Sequence, residues 1–323
     1  MKLGVLTNVV GDMPFAEAIE YFKSMGIQAI ELGAGGYPGK DHCNPQVLLH
    51  NEEEFQKFKE LIDDSGLVVS ALSCHANPIH PNKEIAKGFD DDLRDTVLMA
   101  EKMGIDRINT FSGCPGDSPT SQLPNWVTCP WPGDFGEILE YQWNEVLIPY
   151  WKEFVAFAKS HGVNKIGFEM HPGFCVYNTY TMKKIRDAVG PEIGANLDPS
   201  HLIWQGMDPI AVIRELGGDA IFHVHAKDTK VDPYNTAVNG VLDTQSYADE
   251  INRSWVFRSI GYGNGEEYWK DFASNLRLVG YDYVISIEHE DSFMSKNEGL
   301  VKAVDVLKRS LMFEDKMTDL RWV

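Results

Sequence analysis

Basic residues are scarce in this sequence. The 323 residues include 29 Lys and Arg against 48 Asp and Glu, which gives a formal net charge of −19 at pH 7. Proteins that bind nucleic acids neutralise the backbone phosphates with Lys and Arg. The charge balance therefore counts against a polyanion as the main partner, and we predict that the chain binds no nucleic acid.

Cysteine is also sparse, and the sequence suggests no pairing. The cysteines are odd in number and scattered, and none belongs to a Cys-x-x-Cys pair. This pattern excludes a disulfide framework and a zinc site built from cysteines. It is typical of reduced thiols in a cytoplasmic protein, and we expect the chain in the cytoplasm. The cysteines are Cys43, Cys74, Cys114, Cys129 and Cys175.

Long apolar runs are absent. No stretch approaches the ~20 apolar residues that cross a bilayer, and the sequence begins without the basic and apolar regions of a signal peptide. We therefore expect no membrane partner. Hydrophobic residues make up 43% of the chain and charged residues 24%, a composition typical of a globular protein with a large core.

One junction repeats along the chain: an amphipathic stretch ends in a glycine, and a short, largely apolar run follows at once. The glycine suits the left-handed C-cap of a helix, and the run suits a parallel strand buried on both faces. Seven junctions and the opening run predict eight β/α units, which favour a single-domain (β/α)8 TIM barrel over residues 1–323. An open, doubly wound sheet is the alternative. The junction glycines are Gly26, Gly66, Gly104, Gly162, Gly190, Gly218 and Gly280.

Two of the predicted units contain long loops. One loop covers residues 112–137 after the fourth strand, and the other covers residues 227–266 after the seventh. Both fall on the side of a barrel where active sites are built. The first contains Trp126 and Trp131 among prolines, and we expect both to stack against a sugar substrate. Packing of these tryptophans onto the barrel or onto another subunit is the alternative.

Acidic residues and a histidine stand at the ends of the last four predicted strands. A carboxylate at the end of an apolar strand is costly unless it is paired or bound to a cation, and no comparable cluster of Lys or Arg accompanies these acids. We therefore predict a divalent-metal site held by Glu169, Asp198, His225 and Glu288. For any one of the four, a structural ion pair or a buried core histidine is the alternative.

The predicted donor set is rich in oxygen. Three carboxylates and one imidazole suit Mn²⁺, Mg²⁺ or Co²⁺ better than a closed structural zinc. We expect one ion, Mn²⁺ in the first place, with Mg²⁺, Co²⁺ or Zn²⁺ as alternatives. Four protein ligands would leave two positions of an octahedral ion free for adjacent hydroxyl and carbonyl oxygens of a sugar.

Two glycine-rich segments resemble phosphate-binding loops. Residues 33–39 read GAGGYPG, but Pro38 stands where a dinucleotide fingerprint needs its last glycine, and no helix is predicted to start there. Residues 261–265 read GYGNG, but Glu266 and Glu267 follow at once and would repel a phosphate. The first segment therefore predicts no nucleotide site, and the second disfavours a phosphorylated substrate.

The order of these residues resembles that of a known family. Over the last four predicted strands the chain reads GFEMHPG, NLDPSHLIWQG, HVHAKD and SIEHED. This set is similar to the motifs of the xylose isomerase-like TIM-barrel superfamily of sugar isomerases and epimerases, and the similarity extends over essentially the full chain. The resemblance implies one divalent metal on the four ligands named above. It also implies substrate contacts by His201, Lys227 and Arg258, and we expect His75 to join them.

The implied reaction is the isomerisation or epimerisation of a sugar. A proton would leave the carbon next to a carbonyl, and the metal would stabilise the resulting enediolate. Glu169 and Glu288 come from non-adjacent strands and are expected to remove and return this proton. His171 or His201 is the alternative base.

Other functions are compatible with the same motifs. A lyase or C-glycoside deglycosidase subunit acting on 3-keto-glycosides would share the metal and the proton abstraction. A sugar-binding barrel without activity is a further alternative, whereas an endonuclease IV-like phosphodiesterase conflicts with the charge of −19. As partners we expect a small carbohydrate or keto-glycoside and further copies of this chain. A small partner subunit would accompany the deglycosidase alternative.

Overall fold

Ten short strands form two sheets in the computed structural model, which describes residues 1–317. The strands are β1 (Lys2–Leu6), β2 (Ala29–Gly33), β3 (Val68–Ser73), β4 (Arg107–Thr110), β5 (Lys165–Glu169), β6 (Ile193–Leu197), β7 (Ile221–Ala226), β8 (Asp228–Val231), β9 (Trp255–Arg258) and β10 (Val284–Ile287). Eight of them close into a parallel barrel in the order β1-β10-β7-β6-β5-β4-β3-β2. The predicted (β/α)8 barrel is confirmed. Residues 318–323 of the predicted domain lie outside the described residues.

Amphipathic helices surround the barrel and cover its outer face. They are α1 (Phe15–Ser24), α2 (Pro45–Leu48), α3 (Glu52–Ser65), α4 (Lys83–Met103), α5 (Gly133–Glu140), α6 (Ile148–Ser160), α7 (Thr179–Val189), α8 (Pro199–Trp204), α9 (Pro209–Leu216), α10 (Pro233–Asn239), α11 (Glu266–Leu278) and α12 (Lys296–Ser310). A π-helical turn, Tyr141–Leu147, joins α5 to α6. Helix α3 shows how the sequence sets the ends: the Asn51 side chain accepts a hydrogen bond from Glu54 N, and Gly66 ends the helix in the left-handed region at φ 72°.

The glycine junctions differ from the prediction at two positions. Gly190 ends α7 at φ 148° and ψ 170°, outside the left-handed helical region. Before β7, the positive φ of 75° belongs to Gly217 and not to Gly218. Gly218 is required for a different reason, because a Cβ atom there would lie only 2.3 Å from the carbonyl oxygen of Val279. The close approach of two chain segments, and not the helix end, therefore explains this glycine.

Both predicted long connections are present, and they differ in structure. After β4, residues 111–132 run without helix or strand until α5 begins. After β7, the chain forms an antiparallel pair of β8 and β9, in which Asp228 lies opposite Arg258. Helix α10 and residues 240–254 connect these two strands. The second insertion is thus a small folded unit on the rim of the barrel.

The inside of the barrel contains a layer of buried polar side chains. Successive residues of a strand point to opposite faces, so the apolar residues of each strand pack under the helices while the intervening residues point inward. The inward residues form a hydrogen-bonded layer just below the C-terminal end of the barrel, and all of them are at most 1% exposed. They are Glu31, Ser70, Ser73, Asn109, Asn196, His223 and His225.

Within residues 1–317, the helices include none that combines the length and the apolar character needed to cross a membrane. The longest of them, α4, has 21 residues and carries charged side chains throughout.

The loop of residues 261–265 donates hydrogen bonds to a carboxylate of the same chain, that of Asp228. The buried carboxylate of Asp228 accepts hydrogen bonds from Gly261 N at 3.0 Å, Gly263 N at 3.1 Å and Asn264 Nδ2 at 2.7 Å. A side chain on Gly263 would collide with this carboxylate, because its Cβ would lie 2.5 Å from Asp228 Oδ1. An internal carboxylate thus occupies the loop that resembles a phosphate-binding segment.

We expect Asp228→Asn to lower the free energy of unfolding by about 2 kcal/mol. The new amide would turn donors toward backbone N–H groups that now donate to Oδ2. Urea denaturation measures the loss. Asp232→Asn is the matched control, because Asp232 caps α10 with one hydrogen bond from Asn235 N. This control should lose less than about 1 kcal/mol, and equal losses in the two variants would contradict the role of Asp228.

Candidate metal centre

Side chains from four neighbouring barrel strands converge at the C-terminal end of the barrel. Glu169 ends β5 and His225 lies in β7, while Asp198 and Glu288 directly follow β6 and β10. One nitrogen or oxygen atom from each of the four lies within 4.8 Å of the others. The structure therefore brings together the four residues that the sequence predicts as metal ligands.

The helix that follows β6 fixes the carboxylate of Asp198. Pro199 begins α8, and Asp198 caps it by accepting a hydrogen bond from Ser200 N to Oδ1 at 2.7 Å. Among the described residues, the buried Oδ2 atom has no hydrogen-bond partner. Burial raises the pKa of Asp198 to about 6. The cap thus holds one oxygen, and the other faces the cluster, where it lies 3.3 Å from Lys227 Nζ.

Three histidines surround the Glu169 carboxylate. Its Oε2 lies 3.0 Å from His75 Nε2 and 3.4 Å from His225 Nδ1. Its Oε1 lies 3.0 Å from His201 Nε2. Burial raises the pKa of Glu169, but the three imidazoles outweigh burial and hold the pKa well below its usual value. Glu169 is therefore ionised at neutral pH.

Lys227 balances part of the negative charge. Its Nζ lies 3.1 Å from Glu288 Oε2, 3.3 Å from Asp198 Oδ2 and 3.2 Å from Glu290 Oε2. Burial lowers the pKa of Lys227, but these carboxylates hold it well above its usual value. Burial raises the pKa of Glu288, whereas Lys227 and His225 lower it to about 2. The ammonium group therefore holds two carboxylates of the cluster and one beside it.

His225 lies between two sets of carboxylates. Its Nδ1 is 3.0 Å from Glu288 Oε2, and its Nε2 is 2.9 Å from Glu31 Oε1 inside the barrel. Burial lowers the pKa of His225, but Glu31 and Glu288 outweigh burial and hold it well above its usual value. Because a carboxylate can only accept, Nε2–H donates to Glu31 and Nδ1–H donates to Glu288, and a cation bound at the cluster would take the place of the Nδ1 proton.

The residues present fit a divalent cation. Glu169, Asp198 and Glu288 place three carboxylates at one point, and Asp198 Oδ2 is buried there without a hydrogen-bond partner in the described part of the chain. Three carboxylates and the Nδ1 atom of His225 form a donor set that suits hard and borderline divalent ions. Lys227 Nζ, 3.3 Å from Asp198 Oδ2, balances part of the negative charge, and a bound cation would balance the three buried carboxylates more fully.

We expect Mn²⁺ to stabilise the folded chain against unfolding. At a free Mn²⁺ concentration about tenfold above the dissociation constant, a single site raises the free energy of unfolding by about 1.4 kcal/mol. Thermal unfolding in a chelator and then in excess Mn²⁺ measures this gain. Asp198→Asn should lose most of the gain, and Glu290→Gln, whose carboxylate is outside the cluster, should keep it. An equal gain in all three proteins would contradict the site.

A cavity with a volume of about 150 Å³ opens above the cluster. Of the four candidate ligands, Glu169 and Glu288 line this cavity, whereas Asp198 and His225 are 0% exposed. Lys227 also faces the cavity. A molecule in the cavity would therefore contact two of the carboxylates directly, with the other two ligands buried behind them.

The sequence profile of one family matches most of the chain. The profile described as "xylose isomerase-like TIM barrel" matches residues 19–310. The chain belongs to this family. The predicted membership is confirmed.

One relative is similar to this chain in sequence, and several solved structures have a similar barrel. YfiH of Bacillus subtilis is 38% identical over 313 residues, which cover 96% of this chain and 99% of YfiH. The crystal structure of the probable 3-DHS dehydratase AsbF of Bacillus anthracis has a TM-score of 0.65 and 18% identity, and covers 95% of this chain and 99% of AsbF. The crystal structure of the 3-keto-D-glucoside 4-epimerase YcjR of E. coli has a TM-score of 0.63 and 13% identity. The match covers 96% of this chain and 99% of YcjR.

Within this family fold, His171 and His201 lie beside the cluster. Their ring centroids are 4.0 Å apart, and His171 lines the cavity. His171 Nδ1 lies 2.5 Å from the carbonyl oxygen of Pro172. Since a carbonyl can only accept, Nδ1 carries the proton and Nε2 keeps its lone pair. Burial lowers the pKa of His171 to about 3, so its imidazole is neutral.

The aromatic and basic residues predicted from the loops lie elsewhere. Trp126 packs edge-on against Tyr177 at 5.5 Å and lines a separate cavity, and Trp131 is 77% exposed. The Arg258 guanidinium contacts Asp291, with Nε 3.3 Å from Oδ2, and faces a further cavity on the rim. The structure does not bring these three residues to the metal cluster, whereas His75 and Lys227 do lie there.

Several residues at the site were not predicted from the sequence. Tyr37, Phe111 and Glu290 line the cavity, and Glu31 holds His225 from below. Glu31 could have been found, since it is a carboxylate in the apolar run IQAIEL and the cost argument for Glu169 applies to it equally. Tyr37 lies in a glycine-rich loop and carries no comparable signal. Its position depends on Gly36, whose Cβ would lie 2.2 Å from the carbonyl oxygen of His75.

Proposed function

We propose that the chain is a divalent-metal-dependent sugar isomerase or epimerase that moves a proton at the carbon next to a carbonyl. One observation carries the proposal: Glu169 and Glu288 are the two candidate ligands that reach the cavity, and they come from β5 and β10, which are separated in the barrel by two other strands. Two ionised carboxylates from different strands thus line the cavity that a bound molecule would occupy. That arrangement suits removal of a proton by one and its return by the other.

The remaining residues bind and orient the substrate. When bound, Mn²⁺ or a similar ion would supply Lewis-acid stabilisation of negative charge on oxygens of the substrate. Lys227 Nζ–H groups hold the Glu288 carboxylate at 3.1 Å and face the cavity, where they can donate to a substrate oxygen. His75 Nε2 lies 3.0 Å from Glu169 Oε2. Each of the two carboxylates proposed to move the proton therefore has a cation or an imidazole within 3.1 Å.

A sugar substrate accords with the name of one protein that shares the barrel. YcjR is a 3-keto-D-glucoside 4-epimerase with the same barrel, and its name describes inversion next to a keto group. At 13% identity this likeness shows the fold alone. The proposal for this chain therefore depends on its own carboxylates and on the cavity that they line.

A screen of keto-sugars and keto-glycosides with added Mn²⁺ in D₂O tests the proposal, with NMR as the readout. Deuterium should enter the product at the carbon next to the carbonyl, and the mass should otherwise equal that of the substrate. Prior removal of the metal with a chelator should abolish the exchange, and Mn²⁺ should restore it. Full turnover without deuterium incorporation would overturn the proton-transfer scheme.

A second candidate is a lyase that expels a leaving group after proton removal. The neutral His171, which lines the cavity and keeps a lone pair on Nε2, favours it by providing a third base beside the two carboxylates. The printed name of AsbF, a probable 3-DHS dehydratase, describes an elimination on the same barrel. The product decides between the two candidates, because a lyase releases a second molecule and an isomerase releases none.

A further inference from the structure

A second compartment adjoins the cavity above the metal cluster. It has a volume of about 400 Å³ and is lined on one side by Tyr247, Val256 and Phe257. His171 and Glu290 line both compartments, so the two meet at these residues. The smaller compartment alone lies below the ~300–1,000 Å³ typical of small-molecule sites, whereas the pair falls within this range. A ligand that fills the site would therefore extend into both.

Two stacked rings form the apolar wall of the second compartment. The rings of Tyr247 and Phe257 are nearly parallel, at 15°, with centroids 6.1 Å apart. Tyr247 is 60% exposed although it is aromatic. Both residues come from the insertion between β7 and β10, which the barrel itself does not need. An exposed ring held by a second ring provides a flat apolar surface for another flat group.

Phe257 lies on the boundary between the two compartments. Its ring centroid is 5.4 Å from that of His201, and Lys227 Nζ lies 4.8 Å from its centre. Lys227 is the residue that holds Glu288 at the cluster. The apolar wall therefore begins directly beside the groups that would act on the substrate.

The polar groups of the second compartment disfavour an anionic ligand. Glu290 and Asp291 line it, and both carry negative charge. The Asp291 Oδ2 atom is already engaged, since it accepts hydrogen bonds from Ser259 N at 2.6 Å and Ser259 Oγ at 2.9 Å. Besides the two carboxylates, the polar side chains that line the compartment are those of His171, Tyr247 and Ser292, which are few for the many hydroxyls of a second sugar. A neutral ring with little polarity fits this compartment best.

We propose that the substrate is a neutral keto-glycoside with an aromatic aglycone, whose sugar occupies the compartment above Glu169 and Glu288 and whose aromatic ring stacks on Tyr247 and Phe257. This inference rests on the proposed function, because it assigns both compartments to one substrate. The metal cluster does not determine the aglycone, because the aglycone would lie in the second compartment. The insertion between β7 and β10 is then a specificity element.

Isothermal titration calorimetry with Mn²⁺-loaded protein tests the inference through binding alone. The probes are methyl and p-nitrophenyl glycosides of glucose, galactose and xylose in both anomers, together with methyl β-cellobioside, which offers a second sugar instead of an aromatic ring. None of them carries a keto group, so they report binding without turnover. In at least one series, the p-nitrophenyl glycoside should bind about tenfold more tightly than the methyl glycoside. Equal affinities in every series, no binding of any p-nitrophenyl glycoside, or tighter binding of the cellobioside would overturn it.

Variants of the exposed ring locate the effect. Tyr247→Ala should remove most of the preference for the p-nitrophenyl group and leave the affinity for the methyl glycoside unchanged, and Tyr247→Phe should keep the preference. Tyr262→Ala is the matched control, because Tyr262 is another exposed tyrosine of the same insertion and lies beside Arg258. An unchanged preference in Tyr247→Ala would overturn the inference. Deuterium exchange reports turnover and calorimetry reports binding, so the proposed function and this inference can fail separately.

Discussion

Glu169→Gln is expected to lower the rate of deuterium exchange into the product by about 10²–10⁴-fold, the usual contribution of a positioned acid or base. The amide keeps the shape of the side chain but cannot accept a proton. Three imidazoles surround this carboxylate and hold its pKa well below the usual value, so the wild-type group is ionised and ready to accept. The measurement is the initial rate of exchange by NMR at a saturating concentration of Mn²⁺.

The metal must be measured in the same variant, because Glu169 is also a candidate ligand. Electron paramagnetic resonance of free Mn²⁺ gives the bound fraction, and the exchange rates are compared at equal occupancy. Glu290→Gln serves as the matched control, since Glu290 lines the same cavity and contacts Lys227 but lies outside the cluster. It should lose less than about tenfold. If Glu169→Gln, fully loaded with Mn²⁺, exchanged deuterium at the wild-type rate, Glu169 would not carry the proton.

The sequence predicts those parts of the site that follow from the geometry of parallel strands. The carboxyl ends of barrel strands meet at one face, so an acid at the end of each of three strands and a histidine near the end of a fourth must come close together. Glu169, Asp198, His225 and Glu288 needed no other information, because each lies at a strand end that the glycine junctions and apolar runs already mark. The barrel itself follows from the same local repeat.

The parts that the sequence does not predict depend on contacts between distant segments. Trp126 and Trp131 are aromatic residues on a loop at the correct face, but the path of that loop places Trp126 against Tyr177 and leaves Trp131 exposed. Tyr247 and Phe257 form the wall of the second compartment only because β9 pairs with β8 and residues 240–254 fold back on the pair. Loop paths and strand pairings of this kind carry no periodic signal in the sequence.

Glu31 lies in an apolar strand that the sequence marks, but its role depends on a contact with the distant His225. Its replacement gives the second large expected effect, on the affinity for the metal. We expect Glu31→Gln to weaken the binding of Mn²⁺ by about 10- to 100-fold, as is typical when the partner of a metal-binding histidine is changed. Glu31 Oε1 accepts from His225 Nε2–H at 2.9 Å and from Asn109 Nδ2 at 2.8 Å, and Ser73 Oγ donates to the same atom. These contacts hold the His225 ring with Nδ1 toward the cluster. A neutral amide would hold the His225 ring less firmly. It would also make Nδ1 a weaker electron-pair donor to the metal.

Competition with a chromophoric chelator measures the dissociation constant for Mn²⁺. Ser70→Ala is the matched control: Ser70 Oγ lies in the same polar layer, 3.0 Å from His223 Nε2, and does not contact His225. Its affinity for Mn²⁺ should change by less than about threefold. A purely structural role for Glu31 would instead lower the free energy of unfolding without changing the affinity of the folded protein. Urea denaturation in a chelator separates these two effects, and an unchanged dissociation constant in Glu31→Gln would show that Glu31 does not position the histidine for the metal.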